Sequence, residues 1–252
     1  MTGAGNHTYL LISDAAAVLI DAGVGCQDHL VALERALAEN NSSLQSVLVT
    51  HGHPDHATGV PAIATAHPTT TFAKYVWPGD EPTQGIKWRA LVDGEEVGFG
   101  EATVTAVHTP GHSPDHLAFW HQPTRTLYTG DLVIAGSSVV IEASRGGSLI
   151  QYLHSLQRVL ELEPLQLLPA HGPRIDDPPI LLRSYLEHRR HRERQILAAL
   201  AAGHRTVEAI AESIYDGLEP RLMPAARENV RAHLEKLEAD KIAADRDGWR
   251  IL

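Results

Sequence analysis

A single cysteine, Cys26, excludes an internal disulfide and any zinc site built from several thiolates. It is read as a small buried side chain, and a cytoplasmic location is the expectation. No apolar run approaches the ~18 residues that a membrane helix needs, so no span is expected. Met1 to Ile12 has neither a basic stretch ahead of an apolar core nor an arginine-rich amphipathic pattern, so no targeting peptide is expected. Basic charge is also short. The 21 Lys+Arg against 31 Asp+Glu leave a net charge of −10, which argues against the footprint of a strong nucleic-acid binder. Aromatic residues, at 5%, leave few platforms on which bases could stack.

What is present is histidine, 16 residues of it, several clustered. The 252 residues leave room for a domain of about 150–180 residues plus a smaller one. Charge divides unevenly: residues 174–252 carry 14 Lys+Arg and 14 Asp+Glu, and residues 1–173 carry 7 and 17. From Tyr9 to about Pro169, strand-like runs alternate with amphipathic helices: strands at 17–20, 47–50, 103–107, 117–120, 126–129 and 165–168. Asp28 is read as the cap of a helix with Leu30, Leu33 and Leu37 on one face, and Ser148 as the cap of one with Leu149, Leu153, Leu156 and Leu160 on one face. The stretch Trp77 to Trp88 reads as a loop, with overhang of the site as one possibility. After Gly172, prolines mark a linker. Helices over about 180–201, 206–215 and 224–239 and a hairpin around Asp247-Gly248 then suggest a small winged-helix-like domain. The expected division is 1–173 and 174–252.

Thr50-His51-Gly52-His53-Pro54-Asp55-His56 carries His-x-His-x-Asp-His. Two histidines two apart at a strand's mouth project from one side, and Pro54 is expected to hold a turn that redirects Asp55 and His56 to a second ion. Imidazole and carboxylate without thiolate suit Zn²⁺, with Mn²⁺ or Fe as alternatives. Four ligands are too few for two ions. Further candidates each follow an apolar strand: His112 in Thr109-Pro110-Gly111-His112, Asp131 in Thr129-Gly130-Asp131, and His171 in Pro169-Ala170-His171-Gly172.

With Asp21 in Ile-Asp-Ala-Gly, these motifs resemble those of the metallo-β-lactamase superfamily over about residues 1–173. The resemblance implies an αββα sandwich with two divalent ions. His51, His53 and His112 would hold the first, Asp55, His56 and His171 the second, Asp131 would bridge them, and Asp21 would orient a histidine ligand. The whole chain is similar to the β-lactamase-like protein 2 group, through Thr8-Tyr9-Leu10, Asp115-His116, His171-Gly172-Pro173 and Tyr185 to Leu197. That group joins this domain to a C-terminal winged-helix-like one, and its characterised members are single-strand endoribonucleases. The chain departs from the group in lacking an extra strand before Met1-Thr2-Gly3, and in having Asn6-His7-Thr8-Tyr9 for Thr-Asn-Thr-Tyr.

Two metals can hold a hydroxide between them and offset charge on a phosphodiester or carbonyl, with Asp55 orienting the nucleophile. His116, Arg189 and Arg190 are candidate substrate contacts, the arginines within a basic segment, 183–194, that could meet phosphates. A solvated, ion-paired helix face is the plainer reading of that segment. The expected substrate is single-stranded RNA. A small acyl substrate (thioester, ester, lactone or β-lactam) is the alternative, and a nucleic-acid-binding regulator with a structural metal is a third reading. No membrane partner is expected, and oligomeric state is left open.

Overall fold

The computed structural model describes residues 5–78, 85–245 and 247–252. Half of the expected 77–88 loop, residues 79–84, lies outside them. The chain divides into two compact units: 1–109, 115–137 and 163–178 form the first; 110–114, 138–162 and 179–252 form the second.

The first unit holds two five-stranded sheets. One has the order β1 (Tyr9–Ser13), β2 (Ala16–Ile20), β3 (Ser43–Leu48), β4 (Thr71–Lys74) and β5 (Trp88–Ala90). The other runs β10 (Gln166–Pro169), β9 (Thr126–Gly130), β8 (Leu117–His121), β7 (Ala102–His108) and β6 (Glu96–Phe99). Strand β2 shows why the sheets stack. It is buried on both faces, and its residues alternate with period two. Ala16, Val18 and Ile20 join Leu48, Phe99, Val104, Leu117 and Phe119 in the core between the sheets. Ala17 and Leu19 face the other way, with Leu33 and Leu37 of α1 (Gln27–Glu39) and Ile63 of α3 (Val60–Ala66). A four-residue helix, α2 (Pro54–Ala57), precedes α3.

The second unit contains α4 (Leu149–Glu161), most of α5 (Pro178–Ala201), α6 (Val207–Ile214), α7 (Met223–Ala239) and the hairpin β11 (Ala243–Asp245) with β12 (Trp249–Ile251). Its core joins Ile196 and Leu200 of α5 to Ile210 of α6, Val230, Leu234 and Leu237 of α7, and Ala243. The side chains of Ser148 and Thr206 accept backbone hydrogen bonds from Gln151 and Ala209, capping α4 and α6. No helix among the described residues is long and apolar enough to cross a membrane.

Two expectations need correction. Cys26 is exposed, because it is the cap residue of α1 and sits outside the buried face. Asp28 lies inside the first helical turn instead of capping it. Helix α4 buries Tyr152, Ser155 and Val159 along with Leu149 and Leu156, leaving Leu153 and Leu160 half-buried.

Candidate metal centre

The candidate ligands follow strand ends. After β3 the chain runs through Thr50 and His51 to His53, whose extended backbone (φ −65°, ψ 150°) meets the restriction that a following proline imposes. Pro54 then opens α2, since a proline at the first helical position loses no hydrogen bond. The turn expected at Pro54 is a single-turn helix, which presents Asp55 and His56. Ala22 N donates to His56 O at 2.8 Å, tying that turn to the end of β2. The following Gly59 packs so closely that a Cβ there would lie 2.0 Å from Ala22 O.

Six side chains converge within the first unit. Ligand atoms of His51, His53 and Asp131 lie within 4.8 Å of one another, as do those of Asp55, His56 and His171. His51 Nε2 is 2.9 Å from His53 Nδ1. His56 Nε2 lies 3.4 Å from Asp131 Oδ1 and 3.7 Å from Asp55 Oδ2. His171 Nε2 lies 3.3 and 3.2 Å from the same two oxygens.

The imidazoles are held from behind. Asp21, 2% exposed and in the left-handed region (φ 62°), places Oδ2 2.7 Å from His56 Nδ1. The same carboxylate accepts from Thr50 N at 2.7 Å and Thr50 Oγ1 at 3.0 Å. His171 Nδ1 is 2.9 Å from Gly5 O. In each ring the occupied Nδ1 leaves Nε2 as the nitrogen free to ligate. His56 Nε2 is buried and, among the described residues, has no hydrogen-bond partner. A buried imidazole lone pair facing two carboxylates is unfavourable unless a proton or cation lies between them. Burial opposes charging His56, yet Asp21 and Asp131 outweigh it and push its pKa up to about 10. A cation would find the same negative field. These six residues form a candidate dinuclear metal centre whose donor chemistry fits divalent ions.

His112, the seventh expected ligand, sits on the 110–114 turn of the second unit, where its Nδ1 is 2.9 Å from Val140 O. His116 is fully buried in the first unit. Its Nδ1 is 2.8 Å from Thr109 Oγ1, and its Nε2 accepts from Asp131 N at 3.1 Å. His116, a candidate substrate contact in the sequence, thus has no exposed ring surface and hydrogen-bonds the backbone of Asp131. Gly130 makes that approach possible: at φ 48°, a Cβ would lie 2.8 Å from His116 Nε2. Arg189 is buried in the second unit, donating to Val139 O at 2.5 Å and Asn229 Oδ1 at 3.2 Å. Arg190 is exposed, 3.7 Å from Glu187.

Sequence reasoning missed four parts. Thr50 braces Asp21, and Asp115 Oδ2 accepts from Gly52 N at 2.7 Å. Gly5 fixes His171, and Asn6 Nδ2 donates to Asp55 O at 2.5 Å. Thr50 and Asp115 adjoin motif histidines and were findable. Gly5 acts through a backbone carbonyl, which no residue type signals.

Residues 1–171 match the Metallo-beta-lactamase superfamily, and residues 206–249 match the Beta-lactamase associated winged helix domain. The chain belongs to the metallo-β-lactamase superfamily. A Beta-lactamase-like protein 2 homolog of Drosophila melanogaster is 32% identical, covering 95% of this chain and 84% of its own. An Atrochrysone carboxyl ACP thioesterase of Aspergillus chevalieri is 32% identical over 84% of this chain and 68% of its own. The crystal structure of a metallo-beta-lactamase family protein from Thermus thermophilus superposes with a TM-score of 0.79 at 21% identity, over 97% of this chain and 93% of that one. The fold is therefore the metallo-β-lactamase fold with a C-terminal winged-helix domain, as the sequence implied. The protein is a hydrolase of that superfamily with a candidate metal centre.

Proposed function

We propose that this protein hydrolyses single-stranded RNA with two divalent cations, zinc first and manganese or iron as alternatives. In this reading His51, His53 and His112 hold one ion, Asp55, His56 and His171 the other, and Asp131 serves both. Residues 1–173 carry the chemistry and residues 174–252 the winged-helix-like domain. The observation that carries the RNA reading is likeness to a β-lactamase-like protein 2 homologue along nearly the whole chain, winged-helix domain included. The exposed Arg190 is the candidate contact to an RNA phosphate. The scarcity of cysteine supports a cytoplasmic setting.

Divalent ions held there would lower the pKa of bound water toward neutrality and offset charge on the substrate oxygens. The chain's own residues set the geometry for this. Asp21 and Gly5 O fix the rings of His56 and His171, and His116 fixes Asp131. Asp55 turns Oδ2 toward His56 and His171, which leaves Oδ1 to orient the attacking water and accept its proton.

A second reading, hydrolysis of an acyl thioester, is favoured by the thioesterase relative and by the acidity of residues 1–173. Parallel assays of metal-loaded protein on end-labelled single-stranded RNA and on an acyl thioester separate the two, with chelator and Asp131→Ala controls. RNA cleavage lost in both controls is expected. Thioester turnover with intact RNA would overturn the RNA reading in favour of the second.

A further inference from the structure

The second unit contains a cleft of about 360 Å³ among α4, α5 and α7. Its walls carry Arg189 and Arg190 from α5 and Lys236 from α7, and the one carboxylate among its described lining residues is Glu193. Lys236 Nζ lies 2.7 Å from Glu193 and 2.8 Å from Asp240. Arg190 is 68% exposed, and its pairing with Glu187 at 3.7 Å is loose.

His233 of α7 lines the same cleft and is 1% exposed. Among the described residues neither of its ring nitrogens has a hydrogen-bond partner, and neither does the buried Nε of Arg189. Three orphaned polar atoms around one cleft are costly in a finished interior, because each has lost its water without replacement. Burial and the charges of Arg189, Arg192, Lys236 and His188 hold the His233 imidazole well below its ordinary pKa. Facing it across the cleft, α4 contributes His154 and Gln157 and no carboxylate. The ring N–H of His233 and the Nε–H of Arg189 are donors without acceptors among the described residues, which suits an anion that accepts several hydrogen bonds.

We propose that the cleft is a binding site for a phosphoryl group, which takes hydrogen bonds from His233 and Arg189 and charge from Arg190 and Lys236. Inorganic phosphate, a nucleotide phosphomonoester and an RNA phosphodiester present this chemistry alike. The site is built by the second unit alone and does not depend on RNA being the hydrolysed substrate.

The test is a titration of the full-length, metal-loaded protein with inorganic phosphate, followed by the ¹⁵N resonances of the histidine rings. Saturable movement of His233 toward the imidazolium pattern is expected. His233→Leu, close in volume and set beside Leu149, Leu153 and Leu186, should weaken phosphate binding at this cleft by on the order of tenfold. Arg190→Gln, on an exposed side chain with little folding cost, should weaken it several-fold. Movement confined to His51, His53, His56 and His171 would overturn the proposal, as would unchanged affinity in both variants. Adenosine monophosphate and a short single-stranded RNA, titrated separately, distinguish the sources. Whichever moves His233 at the lower concentration is the form the cleft takes. A protein that shifts His233 with phosphate yet cleaves no RNA leaves this site standing and removes the substrate reading.

Discussion

Replacing Asp21 with asparagine isolates the part of the centre that lies behind the ligands. The carboxylate accepts from Thr50 N at 2.7 Å through Oδ1, and from His56 Nδ1 at 2.7 Å through Oδ2. Asparagine has one acceptor oxygen and one amide. If the oxygen keeps Thr50 N, the NH₂ confronts His56 Nδ1. A hydrogen on that nitrogen then points at two others, and the ring is driven to the tautomer that carries its proton on Nε2, the nitrogen needed for a metal. Leaving one buried donor unpaired costs about 1–3 kcal/mol, and loss of a carboxylate behind a ligating histidine lowers metal affinity by roughly 10–100-fold. Competition against a colorimetric chelator, monitored with circular dichroism to verify folding, reads this directly. A folded Asp21→Asn protein that binds metal within twofold of the parent would refute the reasoning. Asp21→Glu, which retains the charge but lengthens the arm, should also fail, because the side chain is 2% exposed and its two oxygens already sit 2.7 Å from Thr50 N and His56 Nδ1.

Other consequences are sharper in stability than in affinity. Gly130→Ala puts a methyl 2.9 Å from Thr50 Cβ and forces alanine to φ 48°, so unfolding should become easier by at least about 2 kcal/mol in urea titration. Arg189→Met strips Val139 O of a buried donor, leaves Asn229 Oδ1 with Ile141 N at 3.3 Å, and should cost about 1–3 kcal/mol by the same measurement. His233→Leu should raise the melting temperature in phosphate-free buffer, since it removes two buried orphan nitrogens. The parent's acid sensitivity should fall with it. His233 has a lowered pKa in the folded state, so below about 6.5 the unfolded chain binds the proton more tightly. Stability is then full above that pH and declines as pH falls, by at most ~1.4 kcal/mol per unit, until the folded histidine also charges. An unfolding midpoint with the same pH slope in parent and variant would contradict this.

The ligand set was legible because its chemistry is local. His-x-His-x-Asp-His and the turns holding His112, Asp131 and His171 each combine rare side chains with a strand end. The buried strands were legible for a similar reason: Ala17 to Ile20 and Leu117 to Trp120 are apolar whichever face they present. Strands β4 to β6 are three or four residues long, too short for a period to emerge, and β5 begins inside the stretch read as a loop. Helix α2 is a single turn, so only its geometry at Pro54 distinguishes it from a bend. His116 carries the motif's chemistry but is fully buried, and burial is a property of the folded chain that one residue's identity does not encode. The role of Gly5 depends on a partner 166 residues away and that of His233 on having no hydrogen-bond partner among the described residues, and neither leaves a pattern in sequence.

Metal content of the reconstituted, dialysed protein, measured by mass spectrometry alongside its Asp131→Ala and His171→Ala variants, bears most directly on the centre. Two divalent ions per chain are predicted for the parent, about one for His171→Ala, and loss of both from Asp131→Ala. A parent holding less than half an equivalent, or variants retaining two, would contradict the account.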